Sequence, residues 1–133
     1  MATDRAGRRG AHAADATDGV LDVAALNELT GGDVRLAAEV LDDFADESRS
    51  DLASLRAGYE RGDADELRRQ AHRINGASRM IGAREVRDIA GRIEHEAGSH
   101  DPDWKLLNTL LEPLADALER VVAAADSRRE RTR

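Results

Sequence analysis

Apolar residues recur at intervals of three and four along most of this chain, and glycine interrupts each run. That spacing is the period of an α-helix with one buried face. A first long stripe reads Leu41, Phe44, Ser48, Leu52, Leu55 and Tyr59. A second reads Leu67, Ala71, Ile74, Ser78 and Ile81, and a third Val86, Ile89, Ala90 and Ile93. The last holds Leu107, Leu110, Leu111, Leu114, Leu118, Val121 and Val122. No segment alternates with period two for long enough to be a strand.

The interruptions set the element boundaries. Thr30-Gly31-Gly32, Gly62-Asp63, Gly82-Ala83 and the stretch Gly98 to Pro102 are the turns, because glycine there favours a helix end. Asp22 caps a short helix to about Leu29, and Asp33 caps a long one ending near Tyr59. Further helices are predicted from Ala64 to Ile81, Arg84 to Ala97 and Asp103 to Ala125, with Pro113 a candidate kink in the last. Leu21 and Val34, beside helix starts, are read as packing residues. The predicted fold is all-α: an antiparallel four-helix bundle with a short extra N-terminal helix.

Composition agrees with helices. Only Phe44, Tyr59 and Trp104 are aromatic, so the core is built from Leu, Ile, Val and Ala. Residues 1–19 lack apolar periodicity and read as a flexible leader or linker, 20–126 as the bundle, and 127–133 as a flexible basic tail. There is no cysteine, hence neither a disulfide nor a thiolate metal site. No run approaches the roughly 18 apolar residues of a membrane span, and the N-terminus lacks the apolar core of a signal peptide. The expected setting is cytoplasmic, as a free protein or as a piece of a longer membrane-anchored one, without direct membrane contact. Residues 19–126 carry a net charge of −10. So acidic a body argues against nucleic acid as partner.

His72 sits on an unusual helix. From Leu67 to Arg92 there are seven arginines and two acids, whereas Asp22 to Arg61 holds ten acids and four arginines. A basic strip on an acidic bundle suits an acidic or phosphorylated partner surface. His72 follows the inward Ala71, which places it on the shoulder of the helix, and Gly76 lies one turn on along the same face. Mid-helix glycine costs about 1 kcal/mol relative to alanine. In return it leaves room for another molecule to approach the imidazole.

A third residue follows from register. If Gly82-Ala83 turns an antiparallel hairpin, residues equidistant from 83 face each other, and His72 and Glu94 each stand eleven positions away. A carboxylate there can accept a hydrogen bond from one ring nitrogen, fix the tautomer and leave the other nitrogen as nucleophile.

The segment Ala71-His72-Arg73-Ile74-Asn75-Gly76-Ala77-Ser78-Arg79-Met80-Ile81-Gly82-Ala83 resembles the signature of histidine phosphotransfer (HPt) domains, such as those ending bacterial hybrid sensor kinases. The likeness extends from about Leu21 to Val122. It implies that His72 is the phospho-acceptor, that Gly76 opens its face and that Glu94 orients the imidazole. It also implies a phosphorelay intermediate that takes a phosphoryl group from a receiver-domain aspartate and passes it to another. Such a carrier has no kinase activity of its own, acts as a monomer and needs no cofactor, Mg²⁺ being brought by the receiver. One position departs from the signature: Asn75 stands where a lysine is usual. Arg79, Arg68 and Arg69 are then the candidates to supply charge, with Asn75 and Arg73 as further phosphoryl or partner contacts.

Two other functions compete. One is a docking bundle of the same fold that binds a receiver without accepting phosphate, which Asn75 keeps open. The other is an enzyme using a His–Glu acid–base pair, against which stands the absence of any predicted deep pocket. Glu94-His95-Glu96 is not read as a metal cluster, because adjacent helical residues point in different directions. Asp42-Asp43 reads as a charged outer face.

Overall fold

Aspartate opens most of the helices and glycine closes them. The computed structural model describes residues 20–131 and forms α1 (Val23–Thr30), α2 (Val34–Arg61), α3 (Ala64–Ile81), α4 (Arg84–Ala97) and α5 (Trp104–Arg131). The Asp22 carboxylate accepts from the Ala25 N–H, Asp33 from Arg35 and Leu36, Asp63 from Glu66, and Asp103 from Lys105 and Leu106. Each such cap is worth about 1 kcal/mol, because it satisfies donors that the helix leaves unpaired. Only α4 starts without one: Ala83 precedes it, and no side chain caps its N-terminus.

The amphipathic faces meet in a single core. α3 packs against α2 and α4, and α5 closes the bundle against the same two helices. Leu55, Leu67, Ile74, Ile93, Leu107 and Leu114 are fully buried at the centre. At one end of the bundle the Tyr59 and Trp104 rings stack at a tilt, 5.8 Å between centroids. At the other, α1 is tied to the α3–α4 turn, where the Asp22 N–H donates to the Gly82 carbonyl at 3.0 Å. The all-α bundle with its short N-terminal helix is therefore the observed architecture.

Two details differ from expectation. α5 runs to Arg131, so the tail expected to be flexible from 127 is helical that far. The Ala123–Ala125 run propagates the helix, and no glycine or proline follows to stop it. Pro113 lies inside α5, within the helix predicted to run through it. Pro113 and Thr109 are both exposed, so the carbonyl that loses its donor can turn to water. Val34 is 51% exposed rather than packed, whereas Leu21 is buried as expected. The leader 1–19 and residues 132–133 lie outside the described residues. No described helix is long and apolar enough to cross a membrane.

Candidate functional site

The α3–α4 hairpin brings together the two residues that register pairs. His72 Nδ1 lies 2.7 Å from Glu94 Oε2. The ring side chain is 70% exposed, while the carboxylate is sheltered at 29%. An ionised carboxylate can only accept, so Nδ1 carries the proton and donates. Nε2 then keeps its lone pair on this exposed ring. Gly76, one turn on, is exposed, and a Cβ built there would meet nothing within 4 Å. No intramolecular contact requires glycine at this position.

The basic strip is less uniform than its sequence suggests. Arg69 pairs with Glu66 on its own helix, and Arg73 donates from Nε to Asp51 of α2 at 3.2 Å. Glu66 is in turn held below the usual carboxyl range, first by the hydrogen bond from Gln70 and then by that from Arg69. The same Glu66 contact raises the Arg69 guanidinium. Arg68 forms no ion pair among the described residues, and a Cβ on Gly98 would meet its stem 3.0 Å away. Arg79 donates from Nε to the Asn75 side-chain oxygen at 3.0 Å and meets no carboxylate among the described residues.

Asn75 is not on the exposed rim. It is 9% exposed, and its amide nitrogen donates to the Arg87 carbonyl of α4 at 3.0 Å. Its oxygen is taken by Arg79. Asn75, expected as a phosphoryl or partner contact, has both ends of its amide engaged at the helix interface. The cause is Gly91 of α4, also symmetric with Asn75 about residue 83. A Cβ on Gly91 would lie 3.2 Å from the Asn75 nitrogen, so its absence makes room for the amide.

Beside this interface is an open groove of about 550 Å³, lined among others by Asn75, Arg79, Arg87, Gly91 and Leu110. His72 does not line it. Among the described residues, no group of three or more His, Asp and Glu side chains is arranged to hold a metal ion.

The helical bundle has counterparts in known proteins. Residues 39–125 match the Hpt domain. The chain belongs to the Hpt domain family. Histidine-containing phosphotransfer protein B (HptB) from Pseudomonas aeruginosa PAO1 is 28% identical, with a TM-score of 0.75 over 85% of this chain and 96% of HptB. The HPT domain of a sensor hybrid histidine kinase from Shewanella is 19% identical, with a TM-score of 0.69, and shares the fold over 82% of this chain and 92% of that domain. Sensor protein EvgS of Escherichia coli (strain K12) is 31% identical over 99 residues, 72% of this chain and 8% of EvgS. The chain thus spans less than a tenth of that curated relative. Family and fold support a histidine phosphotransfer role in a phosphorelay. Hpt domains are phosphocarriers whose partners are response-regulator receiver domains.

Sequence reasoning missed Asp51 as the Arg73 partner, and the Gly91 seat of Asn75. The first was within reach of the same register reasoning, since Asp51 and Arg73 each stand eleven positions from Gly62 in the α2–α3 turn. So was the second: the symmetry about residue 83 that links His72 to Glu94 links Asn75 to Gly91 equally.

Proposed function

We propose that this chain carries a phosphoryl group on Nε2 of His72, accepting it from a receiver-domain aspartate and passing it to another. The observation that carries this reading is the His72–Glu94 contact at 2.7 Å on a ring that is otherwise open to solvent. In the transfer, the Nε2 lone pair forms the N–P bond as the bond from phosphorus to the aspartyl oxygen breaks. The aspartate leaves as a carboxylate. No proton has to move: the Nδ1 proton stays between His72 and Glu94, whose negative charge offsets the positive charge that the phosphorylated ring acquires. Passing the group on reverses these steps with a second receiver.

Phosphoryl transfer asks the protein mainly for alignment and charge stabilisation. The bare Gly76 turn leaves space for the incoming receiver, and the arginines around it suit that partner's acidic phosphorylation site. Mg²⁺ belongs to the receiver on this reading, and this chain does not phosphorylate itself from ATP. It acts as a monomer in a cytoplasmic relay. The docking-only alternative rested on Asn75, whose inward bonding is compatible with an active carrier.

The test is to mix the purified chain with a labelled phospho-receiver and look for acid-labile, alkali-stable phosphate on it. His72→Gln should accept none. Label retained at the wild-type level by that variant would end the assignment.

A further inference from the structure

The arginines around His72 differ in how they are held, and the difference bears on which one meets the phosphoryl group. Arg69 and Arg73 are oriented by carboxylates, Glu66 and Asp51, which offset their charge. Arg87, across the hairpin, is likewise bonded to Asp88. Arg79 is oriented by a neutral amide instead. Such a partner fixes the direction of a guanidinium without spending its charge on a neighbour, and binding Nε leaves the terminal nitrogens free to form a fork on an oxyanion.

Its place on α3 also suits that task. Seven residues at about 100° each bring Arg79 round to within about 20° of His72 on the helix surface, roughly 10 Å further along the axis. Helical side chains lean towards the N-terminus. Arg79 does so here, because its Nε reaches the residue four positions earlier. The guanidinium is drawn back to the level of Asn75, on the side of α3 that faces α4 and one turn from His72. Asn75 itself is locked, buried over Gly91 and bonded to the Arg87 carbonyl.

We propose that Asn75, seated over Gly91, is a positioning residue that aims an unneutralised Arg79 back along α3 at the phosphoryl group on His72. The proposal rests on His72 as acceptor. It deepens that reading by naming the charge that meets the phosphoryl oxygens and the residue that holds it. Arg79 touches the transferred group, whereas Asn75 acts only through Arg79.

A double-mutant cycle on transfer rate, measured with saturating labelled phospho-receiver, tests it. Arg79→Ala should slow transfer about tenfold, the scale of one charge-assisted hydrogen bond. Asn75→Ala should slow it by a similar factor, and the double variant should be no slower than Arg79→Ala. Urea unfolding separates this from a structural role: the stability lost in Asn75→Ala should persist in the double variant, while its effect on rate disappears. Multiplying rate effects, or an unchanged rate in Arg79→Ala, would overturn the proposal. Should Asn75→Ala not fold, Arg79→Gln decides, since it removes the charge from an exposed site. It must be as slow as Arg79→Ala, and a wild-type rate overturns the proposal. His72→Gln in the same assay keeps the two readings apart, because label on that variant refutes the acceptor assignment irrespective of Arg79.

Discussion

Nδ1 of His72 donates to Oε2 of Glu94 across 2.7 Å, and the two residues stand eleven positions on either side of Ala83. The same centre relates Asn75 to Gly91 and Arg68 to Gly98, and in both pairs the glycine leaves space that the α3 side chain uses. One tight turn therefore sets the register of the whole α3–α4 face. Where α3 presents the histidine, α4 answers with a carboxylate. At the other two heights α3 presents a larger side chain opposite glycine, Gly91 within α4 and Gly98 just past its end.

The Glu94 contact sets the imidazole tautomer. Glu94→Gln keeps the shape but can accept only through a neutral oxygen, so the preference for a proton on Nδ1 should weaken. Nitrogen-15 NMR of the ring should show a shift towards the Nε2–H form, and transfer should slow by about tenfold or more. A ring spectrum and rate identical to wild type would remove Glu94 from the site.

Gly76 separates stability from function. Its backbone is helical and a Cβ there meets nothing within 4 Å, so Gly76→Ala should stabilise the isolated protein by about 1 kcal/mol. On the proposed function the added methyl group would stand in the receiver's path, so affinity and transfer should fall. Urea denaturation and receiver titration give the two readouts. A stabilised variant with undiminished binding would show that the bare turn has no part in docking.

Gly82 is required for a different reason. It holds φ at 70°, and a Cβ there would lie 2.3 Å from the Asp22 Cβ. Gly82→Ala thus combines a left-handed backbone with a clash against the cap of α1, and should cost about 3 kcal/mol in thermal or chemical unfolding. Loss of under 1 kcal/mol would mean that α1 moves aside at little cost.

Glu66 provides a pH dependence whose sign is fixed. Gln70 first, then Arg69, hold its carboxyl below 4.5 in the folded chain. The stability this contributes is fully present above that unfolded value and disappears as pH falls through the lower folded one. Glu66→Gln should therefore flatten the stability profile on the acid side of 4.5 and leave its slope near neutrality unchanged, as read by unfolding midpoints across that range.

Much of the architecture was legible because helices are local. The aspartate caps, the glycine stops and the three-four periodicity act within a few residues of one another, and α3 and α4 have the bounds that those signals predict. His72, Gly76 and Glu94 were legible too, since a hairpin with a tight turn carries its register in the residue numbers. The end of α5 was not. Its basic residues suggested a frayed tail, but nothing in the sequence stops the helix before Arg131.

The sequence by itself determined the helices, the site histidine and the carboxylate opposite it, all through interactions within one helix or across one short turn. Only the tertiary structure decided which of the partners within reach each arginine takes and how the Asn75 amide is bonded. Those outcomes depend on atoms from other elements: the Asp51 carboxylate of α2 for Arg73, the space over Gly91 and the Arg87 carbonyl of α4 for Asn75. A list of seven arginines cannot reveal that arrangement, because the net electrostatic effect of a guanidinium depends on whether its partner is an anion or a neutral amide.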